Sequence, residues 1–271
     1  MARASGSSGA LAGPPGSGID APFQKWLDGK LAYRLLVIAV AAALLVGWEA
    51  ASTAYGLKFW VSTPSAIAGT VYKWFVGGYI YPHILATLEA LLYGFAIGTL
   101  LAFVASFVFY QFPRMLEVVD PFIVGLISIP SVALAPIFII WFGIGLTSKV
   151  VLAAKITFFL MFYQILSGLR EVPRGMINAF HVMGGTRWAL IRKIQLPASR
   201  TWILHGFRLA FPKAFTGVIV GEIIGANRGI GYLTRYYAGT FDTTSLLAAA
   251  SIILAMSIAM YYAFGRLGSD E

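Results

Sequence analysis

Six long apolar runs alternate with short polar segments along this 271-residue chain. Each run has the length of about 20 mostly apolar residues that an α-helix needs to cross a bilayer. The pattern therefore predicts an all-α, polytopic membrane protein with six transmembrane helices. Because six is even, both termini are expected on one side of the membrane. The runs cover residues 35–55, 83–110, 121–144, 149–169, 202–224 and 246–267.

The third run differs from the others because Pro121, Pro130 and Pro136 interrupt it. Proline lacks the backbone N–H that would bond the carbonyl one turn earlier, so this run is predicted to be broken or kinked. Irregular backbone at membrane depth occurs inside the protein or along a watery cavity. Residues 128–136, including Ser131, are therefore a candidate wall of a translocation pathway. A kink that only packs against a neighbouring helix is the alternative.

One long polar and basic segment, residues 174–200, separates two of the apolar runs. Two short helices are predicted within it, over residues 175–183 and 186–194. Gly184 and Gly185 lie between them and supply the backbone freedom that a sharp turn needs. The dipeptide Leu196-Pro197 is expected to close the segment, because proline disfavours helical backbone in the residue before it. The segment is thus predicted to form a helix-turn-helix loop.

Composition supports the membrane class and excludes several others. Hydrophobic residues make up 59% of the chain and charged residues 11%, against about 25% charged residues in soluble domains. The formal net charge is +9, but Lys and Arg concentrate in the cytoplasmic loops of membrane proteins, so nucleic acid is not expected as a partner. The chain has no cysteine, which excludes disulfides, thiolate catalysis and cysteine-based zinc sites.

The distribution of Lys and Arg over the connecting segments predicts the orientation. On the side of the N-terminus lie twelve cationic residues: Arg3, Lys25, Lys30, Arg34, Arg114, Arg170, Arg174, Arg187, Arg192, Lys193, Arg200 and Arg266. On the other side lie five: Lys58, Lys73, Lys149, Arg228 and Arg235. The side of the N-terminus is therefore predicted to be cytoplasmic. This orientation also puts the loop 174–200 in the cytoplasm.

The part of the chain before the first run is predicted to have two segments. Residues 1–21 begin with a stretch rich in Gly, Ser, Ala and Pro that lacks a periodic apolar face, so a disordered cytoplasmic tail is expected. Residues 22–34 have apolar residues at helical spacing with charges between them. An interfacial helix is predicted there, and a plain start of the first span is the alternative. Residues 35–267 then form the transmembrane domain.

Small and charged residues within the fifth run are further candidates for a pathway. Gly217 and Gly221 lie four residues apart, a spacing that favours close helix packing over a role in substrate transfer. Lys213 and Glu222 are costly in hydrocarbon and are expected to face protein or water. Nine residues separate them, so they point to opposite sides of the helix. Both are candidate pathway or gate residues. Lys155 in the fourth run is likewise costly in hydrocarbon, and snorkelling of its side chain to the interface is the alternative to a position facing protein or water.

Sequence motifs of catalysis are not found. His83, His181 and His205 lie in different segments, and no metal-binding H-E-x-x-H sequence, nucleophile elbow or carboxylate cluster accompanies them. The phosphate-binding sequence G-x-x-x-x-G-K-[ST] is also missing. The chain is therefore not expected to be an enzyme. Uphill transport by this protein needs energy from a partner or from an ion gradient.

The loop 174–200 resembles the cytoplasmic EAA loop of permease subunits of bacterial ABC importers, whose pattern is E-A-A-x3-G-x9-I-x-L-P. Asn178 stands where the family has Glu, and Phe180 stands where it has a second Ala. In the family this loop is the coupling helix that docks in a groove of the ATP-hydrolysing subunit. An ordinary basic loop is the alternative, but it does not need these residues at fixed distances. Five positions match in register: Ala179, Gly184, Ile194, Leu196 and Pro197.

Two further stretches resemble the sulfonate, taurine and nitrate branch of these permeases. Residues 130–136, P-S-V-A-L-A-P, match a segment of the third span in that branch. Residues 229–233, G-I-G-Y-L, match a loop that follows its fifth span. The resemblance covers roughly residues 35–266. It implies the type I importer permease fold and a place in the bacterial cytoplasmic (inner) membrane, within lipid.

The resemblance also implies partners. The chain is expected to pair with a second permease copy, most simply as a homodimer, on a dimer of ABC ATPase subunits that bind ATP and Mg²⁺. An extracytoplasmic solute-binding protein then delivers a small solute, expected to be anionic as in sulfonate, taurine or nitrate import. A self-contained secondary carrier driven by an ion gradient is the alternative, and inverted repeats would support it.

The resemblance assigns roles to residues of the loop. Arg187 and Trp188 are expected to touch the ATPase. The full set assigned to ATPase coupling is Asn178, Ala179, Gly184, Gly185, Arg187, Trp188, Ile194, Leu196 and Pro197. The set assigned to the pathway or its gate, from the intramembrane residues described above, is Pro130, Ser131, Pro136, Lys213, Gly217, Gly221 and Glu222.

Overall fold

The computed structural model describes residues 30–265, and every regular element in this range is helical. The predicted tail, residues 1–21, and residues 22–29 of the predicted interfacial helix lie outside the described residues. The chain divides into two compact units between Gly56 and Leu57. The all-α fold expected from the apolar runs is confirmed for the part that the structure describes.

Within its described residues, the first unit has one helix, α1, which covers Lys30–Ala54. Its 25 residues correspond to a length of about 37 Å at 1.5 Å per residue, enough to cross a bilayer. Residues 30–34 of the predicted interfacial helix belong to α1 and are continuous with its apolar part.

The second unit contains the remaining helices and one wide helical turn. The bounds are α2 Lys58–Val61, α3 Pro64–Val76, α4 Tyr81–Gln111, α5 Pro113–Ser128, α6 Ser131–Phe142, α7 Leu146–Glu171, α8 Arg174–Val182, α9 Arg187–Leu190, a π-helical turn Ile191–Gln195, α10 Leu196–Ala198, α11 Arg200–Gly225, α12 Ile230–Gly239 and α13 Thr243–Gly265. With α1 included, and the bent pair α5 and α6 counted as one span, the described helices provide up to six spans that are long and apolar enough to cross a membrane.

Helix α7 lies at the centre of this unit, with α4 and α11 packed against it. Glycines on α4 allow the two backbones to approach closely. A Cβ atom on Gly94 would lie 2.5 Å from the Cβ of Ala153, and one on Gly98 would lie 2.5 Å from the carbonyl oxygen of Ala154. Apolar side chains gain little from leaving lipid, so such close contact is a main source of helix association in membranes. Small residues on α4 therefore let its backbone pack closely on α7.

The third predicted span is two helices bent by 92° to one another. It starts at Pro113 instead of Pro121, and only Pro130 breaks it, since Pro121 and Pro136 lie inside α5 and α6. Ile129 has an extended backbone, with φ −69° and ψ 118°, because proline disfavours the helical conformation in the preceding residue. The predicted break is therefore confirmed, and its position is residues 129–130.

Candidate coupling loop and membrane pathway

Helix α8 ends in a turn that satisfies the carbonyl groups of its last residues. Gly184 has φ +78°, a left-handed conformation that glycine adopts without strain. Its N–H donates to the carbonyl of His181, and the N–H of Gly185 donates to the carbonyl of Phe180, both at 3.0 Å. These two bonds form a Schellman motif, which ends a helix and redirects the chain. The structure thus has the sharp turn that the glycine pair predicts.

The Phe180 side chain covers the second glycine of this turn. A Cβ atom on Gly185 would lie 2.1 Å from the Phe180 ring, whereas a Cβ atom on Gly184 would meet nothing within 4 Å. Contact between these two positions commonly accompanies a Schellman motif. The residue that departs from the family pattern therefore belongs to the turn and makes glycine necessary at position 185.

We predict that Gly185→Ala opens this turn, because the added methyl group displaces the Phe180 ring. Overpacking of this kind costs about 1–3 kcal/mol, which raises the population of opened loop on the order of tenfold. Trypsin should then cleave after the exposed Arg187 about tenfold faster, since slow proteolysis follows the open population.

A double-variant comparison tests the cause of this effect. In a Phe180→Ala background, Gly185→Ala should add no further acceleration of the cleavage, because the ring is no longer there to be displaced. An equal acceleration in both backgrounds would mean that the ring contact is not responsible. A Cβ atom on Gly184 would meet nothing within 4 Å, so Gly184→Ala measures the effect of the left-handed backbone conformation alone.

The second half of the loop is more irregular than predicted. Helix α9 starts after Thr186, whose hydroxyl oxygen accepts a bond from the N–H of Ala189 at 3.2 Å. The α-helix ends at Leu190, and the π turn follows, in which the N–H of Leu196 bonds to the carbonyl of Ile191. The single α-helix predicted over residues 186–194 is therefore wrong in its second part.

Pro197 does not end the helical backbone at this point. Leu196 has helical angles, φ −65° and ψ −45°, contrary to the expectation for a residue before proline. Pro197 lies in the first turn of α10, where its missing N–H is not needed for a helical bond. The loop consequently runs through α10 to Ser199, which precedes α11.

The outer surface of the loop presents large apolar side chains to solvent. Val182 is 88% exposed and Trp188 is 71% exposed, and Met183 between them is also exposed. The cationic side chains of Arg187 and Arg192 lie exposed on the same loop. Exposed aromatic and apolar groups together with arginine are typical of protein docking surfaces. Asn178 and Ala179, the two remaining coupling candidates on α8, are exposed as well.

The inner surface of the loop faces the end of α4. Leu190 and Gln195 are buried there, Ile194 is half-buried, and Leu196 and Pro197 are exposed. The buried contacts of the loop thus come from Leu190 and Gln195 more than from the coupling candidates Ile194, Leu196 and Pro197. A cavity of about 330 Å³ lies between the loop and α4, lined by Phe107, Tyr110, Gln111, Phe112, His181, Arg187, Leu190, Ile191 and Gln195.

Close backbone contact joins the base of the loop to the central helix. A Cβ atom on Gly168 of α7 would lie 3.0 Å from the Cβ of Ser199 and 2.9 Å from that of Trp202. The indole N–H of Trp202 donates to the carboxylate of Glu171, the last residue of α7. Ser199 is fully buried, and its hydroxyl donates to the carbonyl of Gln195 at 2.6 Å. The loop is therefore attached rigidly at the point where it enters α11.

The pathway candidates of the third span lie around the break between α5 and α6. Pro130 and Pro136 are exposed and Ser131 is half-buried. Lys155 of α7 points to this break, and its ammonium donates to the carbonyl of Ile129 at 3.2 Å. The bond satisfies a carbonyl for which Pro130 and the bend leave no helical partner. An intramembrane lysine thus contacts the irregular backbone directly.

The fifth-run candidates separate into buried and exposed groups. Gly217 and Gly221 are buried against α7, where Cβ atoms would lie 2.5 Å from Ile156 and 3.3 Å from Lys149, respectively. Both glycines therefore pack helices together, as the spacing favours. Lys213 is exposed on α11.

Glu222 is fully buried within a polar cluster at the end of α11 far from the loop. Its Oε1 lies 3.5 Å from the ammonium of Lys149 at the start of α7. The Thr87 hydroxyl lies 3.0 Å from both carboxylate oxygens. The N–H of Gly231 donates to Oε2 at 2.9 Å. The Glu222 carboxylate therefore joins α4, α7, α11 and α12 through its bonds to protein groups.

The G-I-G-Y-L stretch passes directly over this carboxylate. A Cβ atom on Gly229 would lie 2.1 Å from the Glu222 carboxyl group, and one on Gly231 would lie 2.6 Å from the carbonyl of Ile219. Gly229 also has φ +125°, which disfavours other residues. Ile230 and Leu233 fill the apolar space beside it and are fully buried. The glycines of this motif therefore permit close approach to a buried charge.

Sequence reasoning missed the ion pair and the lysine at the break. Lys149 was expected as an outer cation, although it is buried against Glu222. One signal was available: the start of one span and the end of the next antiparallel span lie at the same membrane depth, so opposite charges there can meet. For Lys155 no spacing rule points to Ile129. Within residues 30–265, no group of His, Asp and Glu side chains is placed to hold a metal ion.

Comparison with known proteins decides the family. Residues 94–269 match the family described as binding-protein-dependent transport system inner membrane component. The chain belongs to this family. It is a permease subunit of an ABC importer, in the inner membrane, and the predicted family is confirmed.

Individual relatives agree with this assignment. The riboflavin transport system permease protein RibX of Chloroflexus aurantiacus is 32% identical over 225 residues, covering 83% of this chain and 84% of RibX. The putative aliphatic sulfonates transport permease protein SsuC of Bacillus subtilis is 28% identical over 243 residues, covering 89% and 85%. The permease is thus similar to members that are named for different solutes.

A solved structure shows the same fold at low identity. A chain of the MetNI methionine ABC transporter, in an inward-facing conformation, superposes with a TM-score of 0.58 and 18% identity. The match covers 70% of this permease and 95% of that chain. The expected importer permease fold is confirmed. The alternative of a self-contained secondary carrier is not supported by these matches.

Proposed function

We propose that this permease carries a small solute across the inner membrane and that its loop 174–200 binds a separate ATPase subunit. The observation that carries the proposal is the exposed apolar surface of this loop, with Val182, Met183 and Trp188. The loop is held in a fixed geometry by the Schellman turn and by its buried base. A rigid, partly apolar projection of this kind suits docking into a groove, because little conformational entropy is lost on binding.

Movement of the loop can reach the membrane helices through the contacts at its base. Ser199 and Trp202 pack on Gly168, so a force on the loop acts on α7 and α11 together. Helix α7 also holds the break between α5 and α6 through Lys155. The partner ATPase binds ATP together with Mg²⁺, and hydrolysis of the ATP supplies the energy. We propose that closure of the ATPase dimer rocks these helices between inward-open and outward-open arrangements.

Two further partners belong to the proposal, a second permease copy and an extracytoplasmic solute-binding protein. The end of the bundle far from the loop supports the second of these. Aromatic rings are packed together there: Trp74 stacks on Tyr237 with centroids 5.5 Å apart, and His83 stacks on Tyr232 at 6.0 Å. Tyr237, His83 and Tyr232 are partly exposed beside the buried Trp74, and aromatic side chains are enriched at protein interfaces. The excess of Lys and Arg on the loop side supports a cytoplasmic position for both termini.

The solute is proposed to be small and anionic. One relative is named for aliphatic sulfonates, which are anions, and another is named for riboflavin. Both names describe small polar molecules. The intramembrane cations of this permease favour a solute that carries negative charge.

We predict that Trp188→Ala weakens binding of the ATPase subunit about 30-fold. Tryptophans at the centre of an interface commonly contribute about 2 kcal/mol or more, which corresponds to this factor. The measurement is the dissociation constant between the detergent-solubilised permease and its ATPase. Trp60→Ala is the matched control, since Trp60 is 73% exposed but lies in α2, outside the loop.

The control variant should bind the ATPase with unchanged affinity. If Trp188→Ala and Trp60→Ala both bind as the unmodified permease does, the loop is not the docking surface. Uptake driven by an ion gradient in liposomes, without any ATPase, would contradict the proposed energy source.

A further inference from the structure

Lys155 is a cation deep within a membrane helix. It lies nine residues after Leu146, the first residue of α7, which corresponds to about 14 Å along the helix axis. Charged side chains at such depth are costly in hydrocarbon and commonly mark a pathway for a solute or an ion. Snorkelling explains lysines near a helix end, but the side chain of Lys155 turns to the break at Ile129 instead.

The ammonium of Lys155 is incompletely paired. It has three N–H donors, and its bond to the Ile129 carbonyl uses one of them. The Phe159 ring lies 5.9 Å away and offers a weak attraction to the cation. Within residues 30–265, Lys155 forms no ion pair with a carboxylate. Lys149 differs in this respect, because it is buried against Glu222.

The position of Lys155 also exposes it to the space beside the broken span. The side chain is half-buried, and its hydrogen bond to the carbonyl of Ile129 is exposed. The neighbouring Ile129 is 39% exposed, and Pro130 is exposed as well. Irregular backbone at membrane depth needs protein or water around it. An unpaired positive charge and an irregular backbone thus share one accessible site.

We propose that Lys155, at the break between α5 and α6, is a binding point for the anionic oxygen group of the transported solute. Two of its N–H donors are free to bond a carboxylate, sulfonate or phosphate group that passes the break. The bond to Ile129 holds the ammonium in place, and the half-buried surroundings strengthen its attraction for an anion. This inference rests on the proposed transport of an anionic solute, and it assigns the residue that selects for charge.

The experiment measures the electrostatic preference at this site with small reagents. Because the chain has no cysteine, Ile129→Cys introduces a single thiol beside the ammonium. The permease in liposomes, without ATPase, is treated with three methanethiosulfonates: the anionic sulfonatoethyl reagent, the cationic trimethylammonioethyl reagent of similar size, and the smaller, neutral methyl reagent. We expect the anionic reagent to react faster than the cationic one, after correction for their rates with a free thiol.

Charge removal at Lys155 should abolish this preference. In the Ile129→Cys background, Lys155→Met should lower the ratio of anionic to cationic rates about tenfold, because a nearby positive charge changes the two rates in opposite directions. Lys155→Arg should keep the ratio. Lys73→Met removes a lysine from α3, outside this site, and should leave the ratio unchanged. An unchanged rate with the neutral reagent shows that the lysine substitution has not altered access to position 129.

Two results would overturn the inference. A thiol at position 129 that reacts with none of the three reagents means that the break is not accessible to water. An equal ratio of rates before and after the Lys155→Met substitution means that the ammonium does not select for anions. Both measurements are made without the ATPase, so a failure of the coupling proposal, measured by ATPase binding to Trp188→Ala, is distinguishable from a failure of this one.

Discussion

The Lys149→Met variant should lose about 3–5 kcal/mol of unfolding free energy, the cost that follows when one partner of a buried ion pair is removed. Glu222 is fully buried and Lys149 nearly so. Without the lysine, the carboxylate remains in a low-dielectric environment with bonds only from Thr87 and Gly231. The measurement is unfolding of the purified permease in mixed micelles with increasing denaturing detergent.

A double variant separates the unpaired charge from the loss of packing. Lys149→Met with Glu222→Gln removes both charges and keeps an oxygen that can accept the bond from Gly231. Replacing both members of a buried pair by neutral groups of similar volume is often close to neutral for stability. The double variant should therefore be more stable than Lys149→Met alone. If the two variants unfold at the same detergent fraction, the ion pair is not what stabilises this cluster.

The Gly98→Val variant should also be strongly destabilised, by about 3 kcal/mol. A Cβ atom at position 98 would lie 2.5 Å from the carbonyl oxygen of Ala154 and 2.7 Å from the Cβ of Thr157. Relief of this overlap requires α4 to move away from α7, because a backbone carbonyl cannot rotate aside. The same unfolding measurement records the effect.

Gly125→Val is the matched control for this prediction. Gly125 lies inside α5, and a Cβ atom there would meet nothing within 4 Å. Valine and glycine have similar helix propensities, differing by a few tenths of a kcal/mol, so this variant should change stability by less than about 0.5 kcal/mol. Equal losses for the two valine variants would show that helix propensity, and not close packing of α4 on α7, accounts for the effect.

In the coupling loop, the sequence predicts the turn but not the backbone conformation of the residues that follow it. The glycine pair predicts the turn because left-handed backbone angles are a local property of one residue. The π turn and the helical Leu196 were not predictable in this way. They depend on how the chain joins α11, where the buried Ser199 is fixed against Gly168 by packing with α7.

In the third span, the sequence predicts that a break occurs but not where it lies. Pro130 predicts that a break occurs, since it restricts the backbone of Ile129. The sequence contains two more prolines in this run, and it does not indicate which of the three interrupts the helix. The structure places the break at Pro130, and Lys155 of a different helix satisfies the carbonyl of Ile129 that the break leaves free.

The sequence by itself determined the fold class, the apolar spans, the loop and the family. These follow from hydropathy and from fixed spacings, which are local because lipid requires each span to satisfy its own backbone bonds. Only the tertiary structure decided the partners of the intramembrane charges. For Glu222, a candidate gate residue, the structure places Lys149 and Gly231 on its carboxylate. Pairing of this kind joins residues far apart in the chain, and no local pattern records which helices pack together.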